Sequence, residues 1–68
     1  MKKIYNVSIE LMGDEEELIS VRYFSYMVSA DCSASAINKA FEEIYKDESN
    51  YDREVLTIQL NKIDILRA

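Results

Sequence analysis

The chain has 68 residues with a formal net charge of −5, one cysteine and no histidine. Its hydrophobic fraction of 49% excludes an extended disordered chain, and 13 acidic residues against 8 basic ones disfavour direct binding to nucleic-acid phosphates. No apolar stretch approaches the roughly 20 residues of a membrane-spanning helix. We therefore expect one small cytoplasmic domain over residues 1–68, with no membrane partner and, at this length, a tendency to oligomerise.

The first predicted strand covers residues 5–11, where apolar and polar residues alternate as in a half-buried strand. The apolar face of this strand consists of Tyr5, Val7, Ile9 and Leu11. Gly13 and the acidic run at residues 14–17 end the strand, and a β-rich segment follows over residues 18–29. Both faces of that segment carry large apolar side chains, so we expect a helix to cover one face and a partner to cover the other.

An amphipathic helix is predicted next, ending at about Glu48. Its apolar residues have the i, i+3, i+4, i+7 spacing of a helix that buries one side. They are Ile37, Ala40, Phe41, Ile44 and Tyr45. Asp31 and Ser33 are the candidate N-cap residues, and residues 49–52 are predicted to form the exit loop.

The last predicted strand begins near Val55, and its apolar residues change phase along the strand. They are Leu56, Ile58 and Leu60, followed by Ile63 and Ile65. A β-bulge near Asn61 accounts for this change of phase.

The element order strand, strand, helix, strand predicts the topology. A right-handed crossover through the helix places the last strand beside the first and antiparallel to it. We therefore predict an α+β fold: a three-stranded antiparallel sheet in order 2-1-3, with the helix packed on one face. The other face and the two edge strands are left for a partner or a second copy, and we expect a homodimer.

Residues suited to catalysis are scarce in this chain. Without histidine, acid–base and nucleophilic catalysis lack their usual groups, so we predict a protein that is not an enzyme. Cys32 lies near the start of the helix, a position that can lower the pKa of a thiol, but without a base partner we expect it to be structural rather than reactive. The acidic run at residues 14–17 lacks the ligand spacing of a calcium loop, and we predict no metal and no cofactor.

Four short stretches, in chain order, carry a family resemblance. They are YNVSIEL at residues 5–11 followed by Asp14, YFSY at residues 23–26, FEEIY at residues 41–45 and LNKI at residues 60–63. Together they resemble the small dimeric uracil-DNA glycosylase inhibitors of tailed Bacillus phages, which have the same order of strands and helix. The resemblance implies a phage protein that inhibits the uracil-DNA glycosylase of its host, in the host cytoplasm.

The helical FEEIY stretch is the most specific of the four. In the family, its Phe and the neighbouring Glu and Tyr belong to the surface that contacts the glycosylase. We add further residues of the same predicted helix to obtain a partner-binding set. This set is Phe41, Glu42, Tyr45, Ile37, Asn38 and Glu48.

The resemblance implies inhibition by DNA mimicry. A glycosylase extrudes the target base and inserts an apolar side chain into the gap in the stack. Carboxylates of the inhibitor would replace phosphates, and an apolar groove between the helices of the dimer would capture the inserted side chain.

Plainer interpretations of the same residues stay open. Spacing alone is typical of core positions for Phe41 and Tyr45, and the acidic residues of the helix are typical of a solvated face, with Glu42 and Lys46 as an i, i+4 ion pair. An acidic phage protein that inhibits another nucleic-acid enzyme, such as a defence nuclease, fits the charge equally well. A structural or oligomeric subunit without catalysis is the third alternative.

Overall fold

The computed structural model describes residues 2–13 and 21–63. Its elements in chain order are β1 (Lys3–Met12), β2 (Val21–Ala30), α1 (Ser33–Ile44), a short 3-10 helix (Glu48–Asn50) and β3 (Val55–Ile63). The three strands form an antiparallel sheet in the order β2-β1-β3, which confirms the predicted α+β fold and strand order. The acidic run at residues 14–17, the start of the second predicted strand and Ile65 lie outside the described residues.

The hydrophobic core lies between the sheet and α1, on the predicted apolar face of β1. The buried residues are Tyr5, Val7, Ile9, Leu11, Ala30, Ala36, Ala40 and Ile44. Phe24, Tyr26 and Val28 of β2 lie opposite β1 residues on the same face and pack against this core. Ala36 and Ala40 carry only a Cβ, so α1 can approach the sheet closely.

The ends of α1 differ from the prediction. Cys32, in an extended conformation, is the N-cap residue and makes no side-chain capping hydrogen bond, so neither Asp31 nor Ser33 caps the helix. The helix ends at Ile44, four residues before Glu48. It stops there because the side chain of Asn50 donates a hydrogen bond to the backbone oxygen of Ile44 (2.9 Å) and turns the chain into the 3-10 helix.

The predicted β-bulge near Asn61 is wrong. The pairing of β1 with β3 runs without interruption from Ile4 opposite Ile63 to Glu10 opposite Thr57. The register then shifts by one, because Leu11 pairs with Val55, and the extra residue is Leu56. Ile63 is out of phase with the preceding apolar residues because it lies on the outer face of the sheet, opposite Ile4.

The helix covers less of the sheet than predicted. It packs mainly against β2 and β1 and has few contacts with β3. Consequently Ile58 of β3, on the helix-facing side, remains 43% exposed, and Leu56 is 41% exposed.

The outer face of the sheet is polar at its centre. The Tyr23 hydroxyl donates to Ser8 Oγ (3.1 Å), Ser8 lies 3.5 Å from Ser25, and Ser25 Oγ donates to Asn6 Oδ1 (3.2 Å). Apolar groups such as Met27, which is 67% exposed, lie around this hydrogen-bonded chain. None of the helices in the described part of the molecule has the length and hydrophobicity needed to cross a membrane.

Asn50 joins three parts of the fold and is only 2% exposed. Besides its bond to Ile44, its Oδ1 accepts a hydrogen bond from Arg22 of β2 (3.2 Å). Replacing Asn50 by Ala leaves a buried backbone oxygen and a guanidinium group without this partner, so we expect the free energy of unfolding to fall by about 2 kcal/mol.

Urea denaturation of the Asn50→Ala variant tests this expectation. The matched control is Asn38→Ala, which removes an exposed amide from α1 and should change the free energy of unfolding by about 0.5 kcal/mol or less. Equal stability of the two variants would contradict the role assigned to Asn50.

Candidate partner-binding surface

Three residues of the predicted partner-binding set form a row along α1. Ile37, Phe41 and Tyr45 are four residues apart, so they lie on one side of the helix, with Tyr45 at its C-cap. Each is half-buried and packs against the core. The rings of Phe41 and Tyr45 stack with their centroids 5.5 Å apart and their planes inclined by 25°.

Tyr51 extends this row, although the sequence analysis assigned it only to the exit loop. Its ring meets that of Tyr45 edge-on, with centroids 5.6 Å apart and an interplanar angle of 84°. The 3-10 helix between the two tyrosines brings Tyr51 back towards the end of α1. We call Ile37, Phe41, Tyr45 and Tyr51 the aromatic row. An aromatic residue in the polar stretch SNYD was the available sequence signal for Tyr51.

The aromatic row lies on the β3 side of α1. Ala36 and Ala40 face the sheet, and Lys39 on one flank of the helix donates a hydrogen bond to the backbone oxygen of Ser29 in β2. Because the row occupies the opposite flank, it is directed towards β3. Apolar residues of β3 that α1 leaves uncovered, Ile58 above all, therefore lie beside the row on the same face of the sheet.

Two of the four acidic residues near the end of α1 make local bonds. Glu43 forms a salt bridge with Lys46 (3.0 Å), so the predicted pairing of Lys46 with Glu42 is wrong. The i, i+4 geometry is lost because α1 ends before Lys46. Asp47 caps the 3-10 helix by accepting a hydrogen bond from the Ser49 N–H (3.0 Å). Hydrogen bonds from the Ser49 hydroxyl and N–H lower the pKa of Asp47. The same bonds hold the Asp47 carboxylate in place.

The remaining polar residues of the predicted set are exposed. Asn38 precedes Phe41 by three residues and Glu42 precedes Tyr45 by three, so by helix geometry both lie next to the aromatic row on its solvent side. Glu48 lies on the 3-10 helix and not on α1, contrary to the prediction. Within residues 2–13 and 21–63, the carboxylates of Glu42 and Glu48 have no hydrogen bond or salt bridge, so they are available to an external cation.

Cys32 is exposed at the start of α1. The backbone N–H of Ser35 and then its hydroxyl, whose oxygen lies 3.7 Å from Cys32 Sγ, lower the pKa of the thiol. Among the described residues, no group of three or more His, Cys, Asp or Glu side chains is arranged to hold a metal ion.

No protein-family model, curated protein or solved structure matches this chain. The resemblance to the glycosylase inhibitors therefore stays a prediction from its four short motifs.

The lowered pKa of Cys32 predicts its reaction with iodoacetamide. The thiolate is the reactive form, so the pH midpoint of alkylation should be lower in the folded protein than in the same protein unfolded in urea. Ser35→Ala should move the folded midpoint upward, because it removes one of the two bonds from Ser35. The control Ser33→Ala should leave the pH midpoint of the folded protein unchanged. Equal midpoints for the folded and the unfolded protein would contradict the hydrogen bonds from Ser35 to Cys32.

Proposed function

We propose that this protein is a non-catalytic inhibitor of a uracil-DNA glycosylase, that it acts as a homodimer in the cytoplasm of a phage host, and that it mimics DNA. One observation carries the proposal. The stacked rings of Phe41 and Tyr45 are only half-buried, and Glu42, which is exposed and has no ion pair within the described part of the chain, lies one helical turn before Tyr45. An apolar surface with an adjacent anion is the combination that such an inhibitor needs.

The apolar part of the surface is the binding site for the side chain that the glycosylase inserts into DNA. That side chain leaves water when it binds, and the free energy of its burial favours a long-lived complex. If Phe41 were fully buried, it would contact only the core and no partner could reach it. Its half-burial fixes the ring against the core and leaves part of it accessible to a partner.

The acidic part of the surface competes for the cationic groups that hold the DNA backbone. Of the four acidic residues near the end of α1, Glu43 and Asp47 are occupied by Lys46 and Ser49, whereas Glu42 and Glu48 are not so occupied. We therefore assign phosphate mimicry to Glu42 and Glu48. The net charge of −5 extends the attraction beyond these contacts and accelerates association with a positively charged groove.

The first test is excision of uracil from a labelled single-stranded oligonucleotide by a purified bacterial glycosylase, titrated with this protein. We expect stoichiometric loss of cleavage. Phe41→Ala should weaken inhibition about 30-fold or more, since truncation of an aromatic hot spot typically costs about 2 kcal/mol or more. Circular dichroism should show that the variant is folded.

Tyr23→Ala is the matched control, because it removes an exposed aromatic ring from the opposite face of the sheet and should inhibit like the unmodified protein. Full inhibition by folded Phe41→Ala would remove Phe41 from the site. No inhibition by a large excess of the unmodified protein would overturn the proposed target. Recovery of a defence nuclease from host lysate would then favour the other acidic-inhibitor hypothesis.

Salt dependence tests the acidic contacts separately. Exposed charges steer association and are screened within about 8 Å at physiological ionic strength. The association rate should therefore fall as salt increases, with little change in the dissociation rate. Glu42→Gln should slow association several-fold at low salt, whereas Glu10→Gln, on the outer face of the sheet, should have a smaller effect. Surface plasmon resonance measures both rates, and identical rates for the two variants would exclude Glu42 as a contact.

A further inference from the structure

The 3-10 helix after α1 directs its side chains to three sides. A 3-10 helix has about three residues per turn, so side chains three residues apart lie on the same side. Tyr51 continues this geometry, because its backbone is helical and its N–H donates to the backbone oxygen of Glu48 (3.1 Å). Glu48 and Tyr51 therefore share one side, about 6 Å apart along the helix axis.

The other two sides of the 3-10 helix are bonded to the rest of the fold. Asn50 is 2% exposed and accepts a hydrogen bond from Arg22. Ser49 accepts one bond from Arg22 at its hydroxyl (3.3 Å) and one from Arg53 at its backbone oxygen (3.0 Å). The third side faces solvent, and there Tyr51 is 59% exposed.

The ring of Tyr51 is held in place while one of its faces stays open. It meets the ring of Tyr45 edge-on, with centroids 5.6 Å apart. In an edge-to-face pair one ring presents its edge to a face of the other, so Tyr45 covers no more than one face of Tyr51. A ring that is already held loses little conformational entropy when a ligand stacks on its open face.

The carboxylate of Glu48 lies on the same side and is exposed. Within residues 2–13 and 21–63, it has no hydrogen bond or salt bridge. The neighbouring basic residues in the sequence are directed elsewhere. Lys46 binds Glu43, and Arg53 donates to the backbone oxygen of Met12 (3.1 Å). An external cation can therefore reach this carboxylate and the ring beside it.

We propose that Glu48 and Tyr51 form a binding site for an arginine side chain of the protein partner. A guanidinium group is planar, so it can stack on the open face of Tyr51 while its N–H groups donate to the carboxylate of Glu48. Under the proposed function, this arginine is one of those that hold the DNA backbone in the glycosylase. The proposal rests on that function for the identity of the partner, but not for the chemistry of the site.

The aromatic ring makes the site selective for arginine over lysine. Both side chains contact phosphates in DNA-binding proteins, and a carboxylate alone attracts both. The ammonium group of lysine is compact and strongly hydrated, so it cannot combine a planar stack with paired hydrogen bonds to one carboxylate. Glu48 thus provides the charge that replaces a phosphate, and Tyr51 determines which cation binds.

The site is continuous with the aromatic row. Tyr51 is the last member of the row, and the ring of Tyr45 contacts both Phe41 and Tyr51. A partner bound at Phe41 therefore lies within reach of the 3-10 helix. Glu48 and Tyr51 lie outside the four stretches that carry the family resemblance, so the resemblance does not imply this contact.

Titration with small cations tests the site in the pure protein, without any target enzyme. N-acetyl-arginine methylamide and N-acetyl-lysine methylamide are added separately at constant ionic strength. Two-dimensional NMR follows the ring of Tyr51 and the backbone amide of Glu48. The arginine compound should give saturable shifts at both residues and should bind about 3-fold or more tightly than the lysine compound.

Two substitutions of Tyr51 separate the aromatic face from simple apolar contact. Tyr51→Phe keeps the ring and should bind the arginine compound like the unmodified protein, as followed at the amide of Glu48. Tyr51→Leu keeps an apolar side chain without a π face and should lose the preference for arginine. Circular dichroism should show that both variants are folded.

Substitutions of the carboxylates test the charge. Glu48→Gln keeps the shape of the side chain and should weaken binding of both compounds. The matched control is Asp52→Asn, which removes an exposed carboxylate one residue beyond the site and should have a smaller effect.

Inhibition of a bacterial glycosylase then tests whether the partner uses the site. Tyr51→Leu should weaken inhibition about 5-fold, whereas Tyr51→Phe should inhibit like the unmodified protein. Glu48→Gln should also weaken inhibition, and more so than Asp52→Asn.

Three results would overturn the proposal. They are the absence of a saturable shift at Tyr51, equal binding of the two compounds by the unmodified protein, and glycosylase inhibition that stays at full strength in both Tyr51→Leu and Glu48→Gln. Selective arginine binding by a protein that inhibits no glycosylase would instead uphold the site while refuting the proposed target.

Discussion

Burial of one face of β1 is the constraint on which the structure depends. Val7, Ile9 and Leu11 are completely buried because β1 is flanked by a strand on each side and covered by α1. A single helix is about 10 Å wide, whereas three strands spaced about 4.8 Å apart make a broader surface. One helix can therefore seal the central strand and one neighbour but not both. In this chain the neighbour that α1 covers is β2. Most of β3 stays uncovered because the chain has only one helix.

The uncovered strand connects the fold to the proposed function. The flank of α1 that is directed towards β3 carries the aromatic row, so its rings meet the core on one side and an open surface on the other. Phe41 and Tyr45 thus contribute to the core and also remain partly accessible. A second helix over β3 would have completed the core and removed this surface.

The elements that could be predicted from the sequence are those specified by local periodicity. The period of two in β1 identified its buried face, and the handedness of the crossover gave the strand order. The helical spacing found Ala40 and Ile44 on the buried face of α1 but missed Ala36, and it included Ile37, Phe41 and Tyr45, which are only half-buried. The end of α1 could not be predicted, because the amide that binds the backbone oxygen of its last residue belongs to Asn50, six residues further on, where helical spacing gives no information. The bulge at Leu56 depends on pairing across strands, which the phase of a single strand does not determine.

The same distinction applies to the candidate site. Ile37, Phe41 and Tyr45 were found because they are one helical turn apart, whereas Tyr51 joins them only through the fold of the intervening 3-10 helix. The partner of Lys46 also depended on where the helix stops. The residue types indicated which side chains are suited to binding. The position at which α1 ends determines that Lys46 pairs with Glu43 and not with Glu42.

The contacts of Asn50 have a consequence for the motions of the molecule. Its amide bonds to the last residue of α1 and to Arg22 at the start of β2, elements far apart in sequence. Separation of either element from Asn50 removes support from the other, so the end of the helix, the 3-10 helix and the adjoining end of β2 behave as one unit in local unfolding. Tyr45 and Tyr51 belong to this unit. Fluctuations that expose the amides near Ile44 therefore also change the spacing of the two tyrosine rings, and a partner seated on them would slow hydrogen exchange in a strand that it does not touch.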